Sequence, residues 1–175
     1  MNPSNGYEAL AQQFTAIRHD PNRPIGTSTV RSWVQSLTKG SHVLDLGCGS
    51  GIPISKAIAD QGHRVYGIDA SPTLVAAFRD HLPDHPIRCE AVETSGFYGL
   101  QFEGIIAWGL LFLLPEQTQV ELFAKIADHL HPEGQFLFTA PSQIAHGPDL
   151  ALTGRKKVWG NIGTVRTGNG RDFPG

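Results

Sequence analysis

Apolar positions along this chain keep a helical period at first and then break into short runs. Tyr7, Ala9, Leu10, Phe14 and Ile17 recur at helical spacing, which predicts an amphipathic helix over residues 5–19, ended by Pro21 and Pro24. Val30, Trp33, Val34 and Leu37 share one side of a second helix at 26–38, which Gly40 stops. From residue 42 onward strands are expected at 42–46, 64–69, 87–91, 102–108 and 135–140, with helices between them at 51–61, 72–80 and 115–130. Ser71 caps the second of these helices and Pro72 suits its first turn. The link from Thr94 to Gln101 is short and shows no clear helix. Alternation of this kind gives parallel strands joined by right-handed crossovers. The expected fold is therefore α/β, a doubly wound, mainly parallel sheet of about five strands preceded by two N-terminal helices.

The first strand runs into the chain's most informative segment, Val43-Leu44-Asp45-Leu46-Gly47-Cys48-Gly49-Ser50-Gly51, and the second strand ends in Ile68-Asp69. Strand, glycine turn, helix and a second strand ending in an acid is how a Rossmann-like sheet holds the nucleoside end of a cofactor. Glycines at alternate positions leave no Cβ where the chain turns and where a ligand touches backbone. A carboxylate on the second strand can accept both hydroxyls of a ribose. The dinucleotide fingerprint G-x-G-x-x-G would place its third glycine at Ile52; here it falls on Gly51. Asp45, two residues before the first glycine, is badly placed for a diphosphate and well placed for an ammonium group. Both features disfavour a nicotinamide dinucleotide.

With these residues in view, the chain resembles the class I S-adenosylmethionine-dependent methyltransferases. The resemblance rests on Val43–Gly51, on Gly67-Ile68-Asp69-Ala70-Ser71-Pro72, and on Cys89-Glu90-Ala91-Val92-Glu93. It extends to the fourth strand and its loop (Gly104 to Leu114) and to the turn and fifth strand (Leu130 to Ala140), covering roughly Tyr7 to Pro141. What it implies is S-adenosylmethionine as cofactor and direct methyl transfer to a small molecule. The loop Gly47, Cys48, Gly49 and Gly51 would lie under the methionine portion, and Asp45 would support its ammonium. Asp69 would take the ribose, Ala70 and Ser71 would lie beside the adenine, and Glu90 and Ala91 would reach its edge. Ala107 and Trp108 would border the methionine end, and Tyr7 and Arg18 of the N-terminal lid, residues 1–40, would close over the carboxylate. No catalytic residue is identified; His19 is available as a base near the mouth. Neither the methyl acceptor nor its accepting atom is legible.

Composition narrows the partners. Fourteen basic against 16 acidic residues give no electrostatic footprint for nucleic acid or an anionic membrane. The longest apolar run, Ile105 to Leu114, is interrupted by Gly109 and is too short to span a bilayer. Cys48 and Cys89 lack C-x-x-C spacing, which suits a reduced, cytoplasmic setting. Cys48, near a helix start, reads as a small loop filler rather than a reactive thiolate. Eight histidines raise the question of a metal, but Pro83 spoils a shared helix face for His81 and His85, and His129 and His131 bracket a helix end, so no metal is expected.

One domain, 1–153 with its core at 41–141, fits the length. Residues 154–175 hold six glycines and five basic residues without apolar period, where the family has a helix and a closing β-hairpin. They read as an aberrant or disordered tail, from a truncated or out-of-frame end or as a natural basic tail awaiting a partner. Without the hairpin the fifth strand would be the sheet edge, and Phe136, Leu137 and Phe138 would favour self-association. Besides an active methyltransferase, a cofactor-binding remnant without turnover therefore stays open.

Overall fold

The computed structural model describes Glu8, residues 25–139 and, for the backbone alone, residues 162–166. The expected helix at 5–19, with Tyr7, Arg18 and His19, lies outside the described residues except for Glu8, which is helical. The strands are β1 (His42–Leu46), β2 (Arg64–Asp69), β3 (Ile87–Cys89), β4 (Phe102–Ala107), β5 (Leu130–Thr139) and β6 (Ile162–Arg166). The helices are α1 (Thr27–Val34), α2 (Ile54–Ala59), α3 (Pro72–His81) and α4 (Glu116–His129). The strands form one sheet in the order β3-β2-β1-β4-β5-β6. β1 to β5 pair in parallel, and β6 runs antiparallel to β5.

Alternation along the strands divides the core between the two faces. On β1, Leu44 and Leu46 join one cluster with Ile105, Phe102 and Phe136, under Leu122 and Ile126 of α4. Val43 joins the other with Val65, Ile106 and Leu137, under α1, α2 and α3 through Val34, Ile58 and Phe78. Both faces are covered, which is what the apolar runs of β1 and β4 require of parallel strands. Local chemistry sets the helix ends. The Ser71 hydroxyl accepts from the Leu74 N–H at 3.2 Å and Pro72 occupies the first turn of α3. Gly26, at φ 79°, starts α1, and Pro115 precedes α4.

The expected bounds of β1 and β2 match, while other elements differ for identifiable reasons. α2 is shorter than 51–61 because Gly51 to Pro53 remain in the turn. β5 begins at Leu130, which pairs with Phe102 before an irregularity; the ladder resumes where Gln135 meets Gly104. The link at 94–101 contains one tight helical turn, Phe97–Gly99.

The expected exposure of the fifth strand is corrected. β6 pairs with β5 from Gln135 opposite Arg166 to Thr139 opposite Ile162, so Phe136, Leu137 and Phe138 have backbone partners on that side. Pairing at an edge is made by backbone groups and needs no amphipathic period, so a glycine-containing stretch can do it. The rest of the expected tail, 154–161 and 167–175, lies outside the described residues. Removing residues 162–175 is expected to uncover the β5 edge and make the shortened chain self-associate at concentrations where the full chain does so less. Light scattering of both proteins checks this; equal association would show that β6 does not protect the edge.

Candidate functional site

Strand order reverses between β1 and β4, and the crevice outside their carboxyl ends is where a doubly wound sheet places ligands. The glycine turn leaves β1 at that point. Gly47, Gly49 and Gly51 have φ of 68°, 59° and 83°, a region strained for any residue with a Cβ. The N–H groups of Gly47 and Cys48 donate to the Ile68 carbonyl at 2.8 and 3.1 Å. The Gly49 N–H donates to Asp69 Oδ2 at 2.8 Å, and the Ser71 N–H donates to Oδ1 at 2.9 Å. His81 Nδ1 lies 2.8 Å from the Ser50 carbonyl; since that oxygen only accepts, Nδ1 carries the proton. The end of β2 and helix α3 thus hold the turn in shape.

Asp69 is the hinge of this arrangement. Burial pushes its carboxyl above the ordinary aspartate range and the nearby Glu8 carboxylate adds to that, while the Ser71 and Gly49 N–H groups oppose it. Each carboxylate oxygen has acceptor capacity beyond its one backbone bond. Glu8 was not foreseen in the sequence. Its carboxylate accepts from the Ser71 hydroxyl and, at 2.5 Å, from the Thr73 hydroxyl, bonds that hold it below the usual glutamate range. Glu8 is thereby tied to the start of α3 beside Asp69, across 63 positions of sequence.

The remaining expected residues fall as follows. Asp45 is 2% exposed at the end of β1 and accepts from the Ser55 hydroxyl of α2 at 2.5 Å. The Cys48 thiol is buried, and burial, with Asp45 and Asp69 nearby, pushes it well above the ordinary cysteine range, so it packs as a neutral thiol. Ala70 follows Asp69 half-buried. Glu90 follows β3 and accepts from the Ser95 hydroxyl at 2.6 Å; the Ala91 carbonyl accepts from Ser95 N–H at 3.0 Å. Ala107 is wholly buried in the core. Trp108 is half-buried against the α1 side of the core, and a Cβ on Gly26 would come 2.2 Å from its ring. At least one face of that indole is therefore occupied by packing.

Two contacts of the glycines were not foreseen in the sequence. A Cβ on Gly51 would come 2.9 Å from Leu82 Cδ1 and 2.9 Å from Phe78 Cδ2, so the close approach it permits is to the chain's own side chains. A Cβ on Gly47 would come 3.1 Å from Leu110 Cδ1, which brings the loop after β4 over the glycine turn. Leu110 was not singled out in the sequence; Gly109 ahead of it, at φ 78° with its N–H on Thr139 Oγ1 at 2.7 Å, is the signal that could have found it. Among the described residues no three His, Cys, Asp or Glu side chains are placed to hold a metal ion. His85 instead accepts the Val65 N–H at 3.0 Å through Nδ1.

Residues 43–134, more than half of the 175-residue chain, match the family model described as "Methyltransferase domain". The chain belongs to the class I S-adenosylmethionine-dependent methyltransferases. This methyltransferase-family chain is similar to the ubiquinone biosynthesis O-methyltransferase of Coxiella burnetii, with 29% identity over 109 residues, 60% of this chain and 45% of that protein. It is also similar to the aklanonic acid methyltransferase DauC of Streptomyces sp. (strain C5), with 28% identity over 146 residues, 79% of this chain and 61% of that one. The fold matches the TehB-like SAM-dependent methyltransferase from Corynebacterium glutamicum, at a TM-score of 0.64 and 23% identity over 75% of this chain and 70% of that one. This member of the family spans about half the length of the curated relatives it matches.

Gly51→Ala is expected to destabilise the fold by about 2–4 kcal/mol, from a strained φ and an overpacked contact. Urea unfolding should show a lower midpoint with unchanged slope. An unchanged midpoint would show that this turn tolerates a Cβ.

Proposed function

We propose that this chain binds S-adenosylmethionine at the glycine turn and serves methyl transfer to a small-molecule acceptor. The observation that carries the reading is Asp69, a half-buried carboxylate fixed by the Gly49 and Ser71 N–H groups and still able to accept two hydroxyls. The residues fit the cofactor chemically. Asp45, Asp69 and Glu90 sit at or just past the carboxyl ends of β1, β2 and β3, which suits a ligand bearing a sulfonium and an ammonium and no phosphate. Gly47 to Gly51 would offer backbone to its methionine portion, with Asp45 supporting the ammonium. Ala70 and Ser71 would flank the adenine, Glu90 and Ala91 would meet its edge, and the Ala107 backbone and Trp108 would border the methionine end. Tyr7 and Arg18 are proposed to close the site from the N-terminal segment, consistent with the docking of Glu8 at α3.

When bound, S-adenosylmethionine supplies a methyl group already activated by its sulfonium. The protein's task is then alignment and exclusion of water, which is worth on the order of 7–11 kcal/mol for well-oriented reactants. The turn held by Asp69, Ile68 and His81 suits that task because it is ordered by its own hydrogen bonds. A small acceptor is supported by the balanced surface charge and by the names of the two curated relatives. Leu110, in the loop after β4, adds apolar surface near the glycine turn, and the same loop exposes Phe112. Both cysteines are unpaired, which supports the cytoplasmic setting. Among the described residues no helix is long and apolar enough to cross a membrane.

Calorimetric titration of the purified chain with S-adenosylhomocysteine, NAD and NADP tests the reading. Binding of the first alone is expected, and Asp69→Ala should weaken it more than about tenfold, since charge-assisted bonds to hydroxyls are worth roughly 1.5–3 kcal/mol each. Equal affinity in wild type and variant would remove Asp69 from the site.

A further inference from the structure

The loop after β3 is held by helix α4, distant in sequence and packed against it. The Lys125 ammonium of α4 donates to three backbone carbonyls at once: Val92 at 3.1 Å, Glu93 at 2.8 Å and Ser95 at 2.9 Å. An ammonium has three donors, and all three are used on this one turn. Burial pulls the ammonium below the usual lysine range, while Glu93 and Glu90 push it back up. Lys125 Nζ also stands 5.0 Å from the centre of the Phe97 ring.

The turn it grips is strained. Phe97 and Tyr98 have φ of 44° and 60°, in the left-handed region that is unfavourable for residues with a Cβ. Such a conformation persists only where its surroundings enforce it. Phe97 is wholly buried and its N–H donates to the Ser95 hydroxyl at 3.0 Å. The Tyr98 hydroxyl donates to the Gly67 carbonyl of β2 at 2.7 Å, and the Arg88 guanidinium lies 4.2 Å from the centre of its ring. The product of this construction is the placement of Glu90. Its Oε1 accepts the Ser95 hydroxyl at 2.6 Å, and no hydrogen bond from a described residue reaches Oε2. From β3 itself, a three-residue strand at the sheet edge, Arg88 Nη1 stands 3.9 Å from Oε1, an exposed ion pair that adds to the hold of Ser95 without replacing it.

We infer that Lys125 and Ser95 are positioning residues that hold the Glu90 carboxylate to accept a purine's exocyclic amine, and so set the preference for adenine. The inference rests on the proposed function and deepens it. A carboxylate in that place attracts an amine and repels a carbonyl oxygen, so it discriminates adenine from hypoxanthine.

The test compares the affinities of S-adenosylhomocysteine and S-inosylhomocysteine for the full chain, with melting temperatures measured in parallel. Wild type should prefer the adenine compound by about tenfold or more. Lys125→Met and Ser95→Ala should each reduce that preference to about threefold or less, and Lys125→Arg, which can still donate to the carbonyls, should restore most of it. Ser95→Ala decides the matter if Lys125→Met does not fold. A wild type that binds neither compound overturns the proposed function itself. A wild type that binds both equally, or variants that keep the full preference while losing affinity for both compounds alike, overturns the positioning role and leaves cofactor binding standing.

Discussion

Everything around the carboxyl ends of the strands depends on one carboxylate with two backbone partners. Asp69 takes the Gly49 N–H on one oxygen and the Ser71 N–H on the other. The first bond fixes a turn of left-handed glycines that has few conformational restraints of its own; the second fixes the residue that caps α3. Burying a carboxylate is costly, as its upward shift records. The cost is offset by two charge-assisted bonds, each worth roughly 1.5–3 kcal/mol. The same oxygens retain acceptor capacity, so a group needed to build the turn is also the group best placed to read a ligand beside it.

The sheet delivers this carboxylate to the right place. β2 lies in parallel register with β1, with Gly67 opposite Asp45 and Ile68 opposite Leu46, so Asp69 emerges level with the start of the glycine turn. β4, on the other side of β1, sends its loop back over Gly47 through Leu110. Helices packed on both faces enclose β1 and β4, the two central strands, and the glycine turn leaves the sheet from between these covered faces. β3 is the exception. It is short and lies at the edge, and the loop beyond it is held by Lys125 from α4.

Features carried by local period or local chemistry were legible in the sequence. Val43, Leu44 and Leu46 marked a strand covered on both faces, and Ser71-Pro72 marked the start of α3. The spacing of Gly47, Gly49 and Gly51 against Asp69 marked the turn that the structure folds against the end of β2, because each glycine answers a backbone need that other residues meet poorly. Features made by contacts far apart in sequence were not legible. Glu8 reaches Ser71 across 63 positions and Lys125 reaches Val92 across 33, and neither distance leaves a periodic trace. That a Cβ on Gly51 would meet Phe78 and Leu82 of the chain's own core was not legible either. β6 was missed because an edge strand paired by backbone alone needs no amphipathic pattern.

The central claim is that Asp69 orders the glycine turn before any ligand arrives. Amide hydrogen exchange at Gly49 and Ser71 in the free protein tests it most directly. The account predicts that both N–H groups are protected in the free protein and that Asp69→Ala removes the protection at both while the β1 amides stay protected. Exchange at the rate of an unstructured peptide in the wild-type free protein, with protection arising only when S-adenosylhomocysteine is added, would contradict it.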